Sequence, residues 1–332
     1  MTGPVPRSGD AAERYGGGVP SLPEEIAARL SVAGLDPAAV AALIAVALAE
    51  DLAGGTDVTT AATVPAGARG QADVVARNSG VVAGLPVAQA VFWLASGTAG
   101  GPGVAPRVAP QPGSDDKTES TPRAADGDRV AAGQPVLTVT GRIAAVLTAE
   151  RTALNLICHL SGIATLTRSW ADAVAGTGTR VRDTRKTTPD LRALEKYAVR
   201  CGGGQNHRMS LSDAALIKDN HVAAAGSVSA AFAAVRAAAP GLPLEVECDT
   251  LEQVAEALAA GAELILLDNF DIPGLAAAVR LVGGRALVEA SGGLSLSRAR
   301  AVAETGVDYL AVGALTHSAP ALDFGLDLRQ PG

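Results

Sequence analysis

The chain has 332 residues, a net charge of −7 and a 48% hydrophobic composition, enough for two domains or one barrel with an addition. Aromatics make up only 3%, so the core must be built from Ala, Val and Leu. The acidic balance argues against nucleic acid as a partner, and three cysteines without a C-x-x-C argue against a zinc site or a disulfide framework and fit a reducing cytoplasm.

Residues 1–20 are rich in Gly and Pro and are expected to form a disordered tail; they lack the apolar segment of a secretory signal. A helix is expected over 21–33, where Ser21 and Glu24 have capping-box spacing, and a second over 36–50, with Asp36 as N-cap and Pro37 in the first turn. The apolar run Ala38 to Ala49 is too short to span a bilayer, so no membrane association is expected. "QADVVARNSGVVAG" and "DGDRVAAGQPVLTVTG" read as short strands with Gly turns. The stretch 97–125 between them is Pro/Gly/Ser-rich, without periodicity, and reads as a mobile surface loop. A long helix is expected over 143–175. Beyond it, short apolar runs alternate with Ala-rich amphipathic stretches: "TRVRDT", "AALIKD", "LEVEC", "LILLD", "ALVEA" and "YLAVG". This rhythm implies parallel βαβ units, and six repeats without a dinucleotide glycine fingerprint favour an α/β barrel.

Barrel active sites lie at the C-terminal ends of the strands, and those ends are polar here. They carry Arg185 and Lys186, then Lys218, Asp219, Asn220 and His221, then Glu247, Asp268 with Asn269, Ser291-Gly292-Gly293 and Gly313. The two late Gly turns suit phosphate, which bare backbone N–H groups bind. Glu247 and Asp268 could hold Mg²⁺, accept ribose hydroxyls or do acid–base work. Lys218, in an apolar strand, is paired with a carboxylate such as Glu247, contacts an anion, or is a nucleophile. The run Asp183 to Arg208 collects six Lys or Arg residues against three acids. Within it "PDLRALEKYAVR" is helical, and Arg192, Lys196 and Arg200 read as a solvated or interface face with Glu195 paired to Arg192 or Arg200. Arg185, Lys186, His207 and Arg208 instead suggest a ligand with several carboxylates or phosphates. His159 and His317 read as structural histidines, and the cysteines as packed.

In order along the chain, "EDLAGGTDVTT", "ERTALNLICHLSGIAT", "RDTRKTTPDLRALEKYAVRCGGGQNHR", "ALIKDNH", "LEVECDT", "LLDNF", "EASGGL" and "VDYLAVGALTHS" resemble the motifs of the quinolinate phosphoribosyltransferases, from about Ser21 onward and outside the 97–125 loop. The resemblance implies transfer of phosphoribosyl from PRPP to quinolinate, with loss of CO₂, yielding nicotinate mononucleotide and pyrophosphate for NAD synthesis in the cytoplasm. It implies an N-terminal α/β sandwich (21–142), an open, TIM-like α/β barrel (143–314) and a C-terminal tail (315–332) that returns to the first domain. It also implies Mg²⁺, held by Glu247 and Asp268 through substrate or water, and a homodimer or higher oligomer in which Arg151 is lent to the partner's site. Carried residue by residue, Thr184, Arg185, Lys186, His207, Arg208 and Lys218 match the pocket for quinolinate and PRPP. Glu247 and Asp268 match the carboxylates near ribose and metal, and Ser291, Gly292, Gly293, Gly313 and Ala314 match the phosphate turns. Lys186, Lys218, Glu247 and Asp268 are the expected catalytic groups. Two positions depart from the family pattern: Asp190 and Ser210 stand where glycine is usual, and Asp tolerates left-handed backbone better than most residues.

Overall fold

The computed structural model describes residues 21–53, 55–65, 67–97 and 117–329. The expected tail over 1–20 and the bulk of the expected loop, 98–116, lie outside the described residues; Glu119–Pro122, inside that loop, form a strand. By their internal contacts the described residues divide into two compact units. One holds residues up to 165, 193–201 and 319–329; the other holds 166–192 and 202–318.

The first unit contains an antiparallel sheet of β1 (Arg69–Ala76), β3 (Glu119–Pro122), β5 (Pro135–Arg142) and β12 (Phe324–Leu328), in the order β12-β1-β5-β3. β2 (Gly80–Val81) and β4 (Arg129–Val130) make a separate antiparallel pair. Helices α1 (Glu24–Val32), α2 (Pro37–Leu52), α3 (Val58–Thr63) and α4 (Leu85–Ala95) complete it before β5. α2 starts as its sequence predicts: the Asp36 carboxylate accepts the Ala38 N–H at 2.9 Å and Pro37 fills the first turn. α1 starts differently. Pro23 is its N-cap, with φ −56°, and no side chain caps it, so Ser21 stands outside the reach that a capping box requires.

α5 (Ile143–Ala173) is a 31-residue helix, and by length and composition it is apolar enough to cross a bilayer. Here its apolar positions, among them Ala149, Leu154, Ile157, Leu160 and Ile163, are buried inside the protein. The C-terminal chain crosses it at Gly162, where a Cβ would overlap the Pro320 carbonyl and lie 2.9 Å from Ala321 Cα. α6 (Arg192–Cys201) corrects the solvated-face reading at Lys196, while Arg192 is half-buried and Arg200 exposed. Glu195 and Lys196 are fully buried, and Glu195 pairs with His159 of α5 at 2.9 Å rather than with an arginine of its own helix. Arg200 donates to the Ala33 carbonyl at 2.5 Å. A helix packed on both sides hides charge that amphipathic spacing would assign to solvent, provided the charge is partnered.

The second unit is a parallel sheet of β6 (Arg180–Arg182), β7 (Ala215–Ile217), β8 (Leu244–Cys248), β9 (Leu264–Asp268), β10 (Leu287–Ser291) and β11 (Tyr309–Ala311). The order is β6-β11-β10-β9-β8-β7, and the two terminal strands do not pair with each other, so the barrel is open between them. The connecting helices are α7 (Asp219–Ala225), α8 (Val228–Ala238), α9 (Leu251–Ala259), α10 (Ile272–Val282), α11 (Ala299–Ala303) and α12 (Ala314–His317). Several begin at designed caps: Thr250 and Gln253 form a capping box at α9, and the Asp271 carboxylate accepts the Gly274 N–H at 2.8 Å at α10. Parallel strands covered on both faces are apolar in their middles, which leaves polar groups to their ends.

Candidate active site

Because the six strands are parallel, their C-terminal ends share one edge of the barrel. Thr184, Arg185 and Lys186 follow β6, Lys218 follows β7, Glu247 lies near the end of β8, and Asp268 ends β9. Ser291 ends β10, directly opposite Asp268 in the register, and is followed by Gly292 and Gly293; Gly313 and Ala314 follow β11. His207 and Arg208 sit on the irregular segment after the bridge that joins Gln205 to Arg182. All these residues belong to the second unit. Arg151 lies exposed on α5 within the first unit.

The contacts along this edge are specific. The Lys218 ammonium pairs with the Glu247 carboxylate. Lys186 N–H donates to Thr184 Oγ1 at 3.0 Å, and the Lys186 carbonyl accepts from Thr316 Oγ1 at 2.7 Å. A Cβ at Gly313 would lie 3.0 Å from Lys186 Cδ and 3.5 Å from Thr184 Oγ1, which places this turn beside the residues that follow β6. The last strand-end turns therefore press against the first. At Gly292, φ is +82° and a Cβ would overlap the Asn269 side-chain oxygen, so only glycine fits. The helices after these turns are short: a 3₁₀ turn at Leu296–Arg298 leads into five-residue α11, and α12 has four residues. The donors these turns offer are therefore backbone N–H groups, with no long helix dipole behind them.

The cations gather on the early strands. Burial, followed by the like charge of Arg185, holds the Arg208 guanidinium below its ordinary value. Arg208 donates to the Ala214 carbonyl at 2.9 Å, and Arg185 Nε is buried without a hydrogen-bond partner. Two guanidiniums close enough for their charges to interact, one with a buried donor unspent, suit a ligand that brings more than one carboxylate or phosphate. Arg192 supports the segment from beside it, donating to Thr187 Oγ1 at 2.9 Å and to the Met209 carbonyl at 3.0 Å. Of the two departures from the family pattern, Asp190 takes φ +62°, the conformation glycine would supply, whereas Ser210 is not among the positive-φ residues. Ser210 is held by its N–H to Asp213 Oδ1 at 3.0 Å.

For a divalent cation, Glu247 and Asp268 are the fitting donors. They stand on adjacent parallel strands, Glu247 opposite Leu266 and Asp268 two residues on. Lys218 occupies Oε2 of Glu247, and Asn269 donates to Oδ2 of Asp268 at 2.6 Å. Oε1 of Glu247 and Oδ1 of Asp268 take no part in these bonds. Two such oxygens suit Mg²⁺, which keeps waters and takes its remaining ligands from substrate phosphates.

Sequence reasoning missed a layer beneath this ring. Arg182 pairs with Glu289 at 2.6 Å and stacks over Tyr309 at 4.5 Å. His207 Nε2 lies 2.8 Å from Glu245 Oε2 and 3.6 Å from Glu289 Oε1. Glu245 is 3% exposed and Glu289 fully buried. Burial pushes both carboxyls up to about 7, Glu245 against the pull of Arg182, and Glu289 with the neighbouring Glu245 adding to the rise. Asp183, fully buried, accepts the His207 N–H at 2.8 Å and the Asn206 amide at 2.5 Å. A usable signal was present: a glutamate inside "LEVEC" and another inside "ALVEA" interrupt strands that should be apolar throughout. Of the other histidines, His159 lies 2.9 Å from buried Glu195, and His317, exposed, has Nδ1 2.6 Å from Ser318 Oγ. Among the thiols, burial pushes that of Cys248 up to about 12.

Comparison with known proteins adds an independent line. Family profiles described as the N-terminal and C-terminal domains of quinolinate phosphoribosyl transferase match residues 57–161 and 163–327. The nicotinate-nucleotide pyrophosphorylase [carboxylating] of Mycobacterium leprae is 55% identical over 285 residues, covering 85% of this chain and 94% of that protein. A probable enzyme of the same name from Bacillus subtilis is 40% identical over 259 residues, covering 78% and 83%. The crystal structure of NadC from Streptococcus pyogenes superposes with a TM-score of 0.79 at 39% identity, covering 89% of this chain and 99% of that one.

Proposed function

The chain belongs to the quinolinate phosphoribosyltransferase family, and from that premise we propose that it transfers the phosphoribosyl group of PRPP to the ring nitrogen of quinolinate, with loss of CO₂. The products are nicotinate mononucleotide, pyrophosphate and CO₂, and the reaction feeds NAD synthesis. The observation that carries this reading is the gathering of cations at one barrel edge of an acidic protein: Arg185 and Lys186 follow β6, Lys218 follows β7, and the charge of Arg185 reaches Arg208. Quinolinate is a dianion and PRPP carries more charge still, so both need such a cationic edge.

Arg185, Arg208, His207 and Thr184 would receive the two carboxylates and fix the ring nitrogen toward the sugar, a positioning effect that converts a bimolecular encounter into a directed one. Ser291, Gly292, Gly293, Gly313 and Ala314 would hold the ribose phosphate through turn N–H groups. As the nitrogen bonds to the anomeric carbon, the bond to pyrophosphate breaks and positive charge develops on the sugar. Glu247 and Asp268 stand where carboxylates stabilise that charge, while Lys186 and Lys218 meet the departing pyrophosphate. Mg²⁺, when bound at Glu247 and Asp268 through substrate or water, would neutralise pyrophosphate charge. The quaternised nitrogen then withdraws electrons from the adjacent carbon. The bond to the 2-carboxylate breaks, its electron pair stays on the ring, and a proton takes its place. No covalent enzyme intermediate is needed.

The finer assembly belongs to the same proposal: a homodimer or higher oligomer in which Arg151, exposed on α5, reaches the partner's site. The free thiols of Cys158, Cys201 and Cys248 support a cytoplasmic setting. A coupled assay with quinolinate, PRPP and Mg²⁺, following CO₂ and nicotinate mononucleotide, tests the activity. Turnover with quinolinate is expected; turnover with nicotinate in its place, and none with quinolinate, would refute it.

A further inference from the structure

Beneath the proposed acceptor pocket the barrel interior is polar where apolar packing is the rule. Arg182 from β6, Glu245 from β8, Glu289 from β10 and His207 meet there. Burying two carboxylates is costly, and Oε1 of each is without a hydrogen-bond partner. Building on the acceptor-pocket reading above, we infer that Glu245 is a positioning residue: it holds Nε2 of His207 and thereby sets the direction in which His207 and Arg208 meet the substrate carboxylates.

Two hydrogen bonds fix the ring. The Arg208 backbone N–H donates to His207 Nδ1 at 2.7 Å, which makes Nδ1 an acceptor. Nε2 therefore carries the proton and donates it to Glu245 Oε2 at 2.8 Å, a tautomer assigned from these partners. One ring nitrogen is thus tied to a barrel strand and the other to the backbone of the next residue. Asn206 to Arg208 lie in no helix or strand, so their course depends on such side-chain ties. Asp183 supplies the third, at the His207 N–H. Glu289, locked by Arg182, flanks the ring at 3.6 Å. His207, Glu245 and Glu289 also have the spacing of a metal site. Coordination would need the Nε2 lone pair, which the Nδ1 acceptor bond assigns to a proton, and Arg182 already neutralises Glu289. The cluster holds a ring rather than an ion.

The test compares E245M, of similar length but unable to accept, with E245Q, whose amide oxygen can. E245M removes one partner of a buried cluster and is therefore expected to cost stability, so folding is checked by urea unfolding before the kinetics are read. KM for quinolinate and for PRPP are measured separately in the full-length protein. E245M is expected to raise KM for quinolinate about tenfold, the effect of losing one buried hydrogen bond, with KM for PRPP within about twofold. E245Q should recover most of the change. An equal rise in both KM values, or no rise in E245M, overturns the inference. H207A separates the two levels: if it leaves quinolinate KM unchanged, the acceptor-pocket reading itself fails. Should E245M not fold, ¹⁵N-histidine spectra of the unmodified protein decide. They must show His207 as the Nε2–H tautomer, with ring signals that move in E245Q; an Nδ1–H tautomer, or stoichiometric bound metal, overturns it.

Discussion

Replacing Arg182 by Met removes the guanidinium that neutralises Glu289 at 2.6 Å and stacks on Tyr309 at 4.5 Å. The stacking loss is independent of pH and amounts to roughly 0.5–2 kcal/mol. The ionic part is not. A buried carboxylate stripped of its partner takes up a proton rather than remaining charged. Glu289 already titrates at about 7 in the folded protein, against an ordinary value of 4.5. Its folded value lies above its unfolded one, so the native state binds more protons across that window and stability falls as pH rises through it. In the Met variant the window extends upward, because the cation that lowered the carboxyl is gone. Above pH 7 the added loss should grow by about 1.4 kcal/mol per pH unit for each carboxyl kept protonated. At pH 6.5 the variant should lose about 1–2 kcal/mol, and at pH 9 roughly 4 kcal/mol. Trp170 is buried in the barrel unit and Trp93 lies in the other, so urea unfolding in a W93F background reports the barrel by fluorescence. A loss that is the same at pH 6.5 and pH 9 would refute the reasoning.

Lys218→Met removes the partner of Glu247 and one cation from the proposed pyrophosphate site; kcat/KM should fall by about 100-fold with little change in stability, and a loss below about threefold would take Lys218 out of the chemistry. Mixing inactive R151A with inactive R208A tests the shared site. Random dimers would regain roughly a quarter of the parent activity, since half are hybrids and each hybrid has one intact site, whereas no regain would place Arg151 in its own subunit's chemistry or outside it. Gly292→Ala meets Asn269 N at 2.8 Å and imposes φ +82° on a residue with a Cβ; it should cost about 2–4 kcal/mol in urea unfolding and raise KM for PRPP, and parent-like values would show that the turn can yield.

The alternation of apolar runs and Ala-rich stretches made the barrel legible, because each strand is buried on both faces and must be continuous in its apolar residues. The strand-end ring was legible for the same reason, since polarity begins where burial stops. Glu245 and Glu289 escaped because they lie inside the strands, where a charge is tolerated only through partners brought from strands far away in sequence, here Arg182 and His207. Lys196 escaped for a related reason: its spacing on α6 reads as solvated, and only the packing of α6 within the first unit shows it buried. The start of α1 was misplaced by two residues because Pro23 can open a helix without any side-chain cap.

β12 makes the order of synthesis matter. It completes the first sheet beside β1, and Arg329 closes on Asp73 at 2.7 Å across 256 positions of sequence. At ribosomal rates of 5–20 residues per second, β1 waits roughly 10–50 s for its neighbour. During that time the barrel strands emerge and can pair locally, while the N-terminal sheet presents an open edge to other nascent chains. β12 is therefore the closing strand of a sheet whose partner strand was made far earlier, and a chain that lacked it would keep the outer edge of β1 unpaired and open to aggregation.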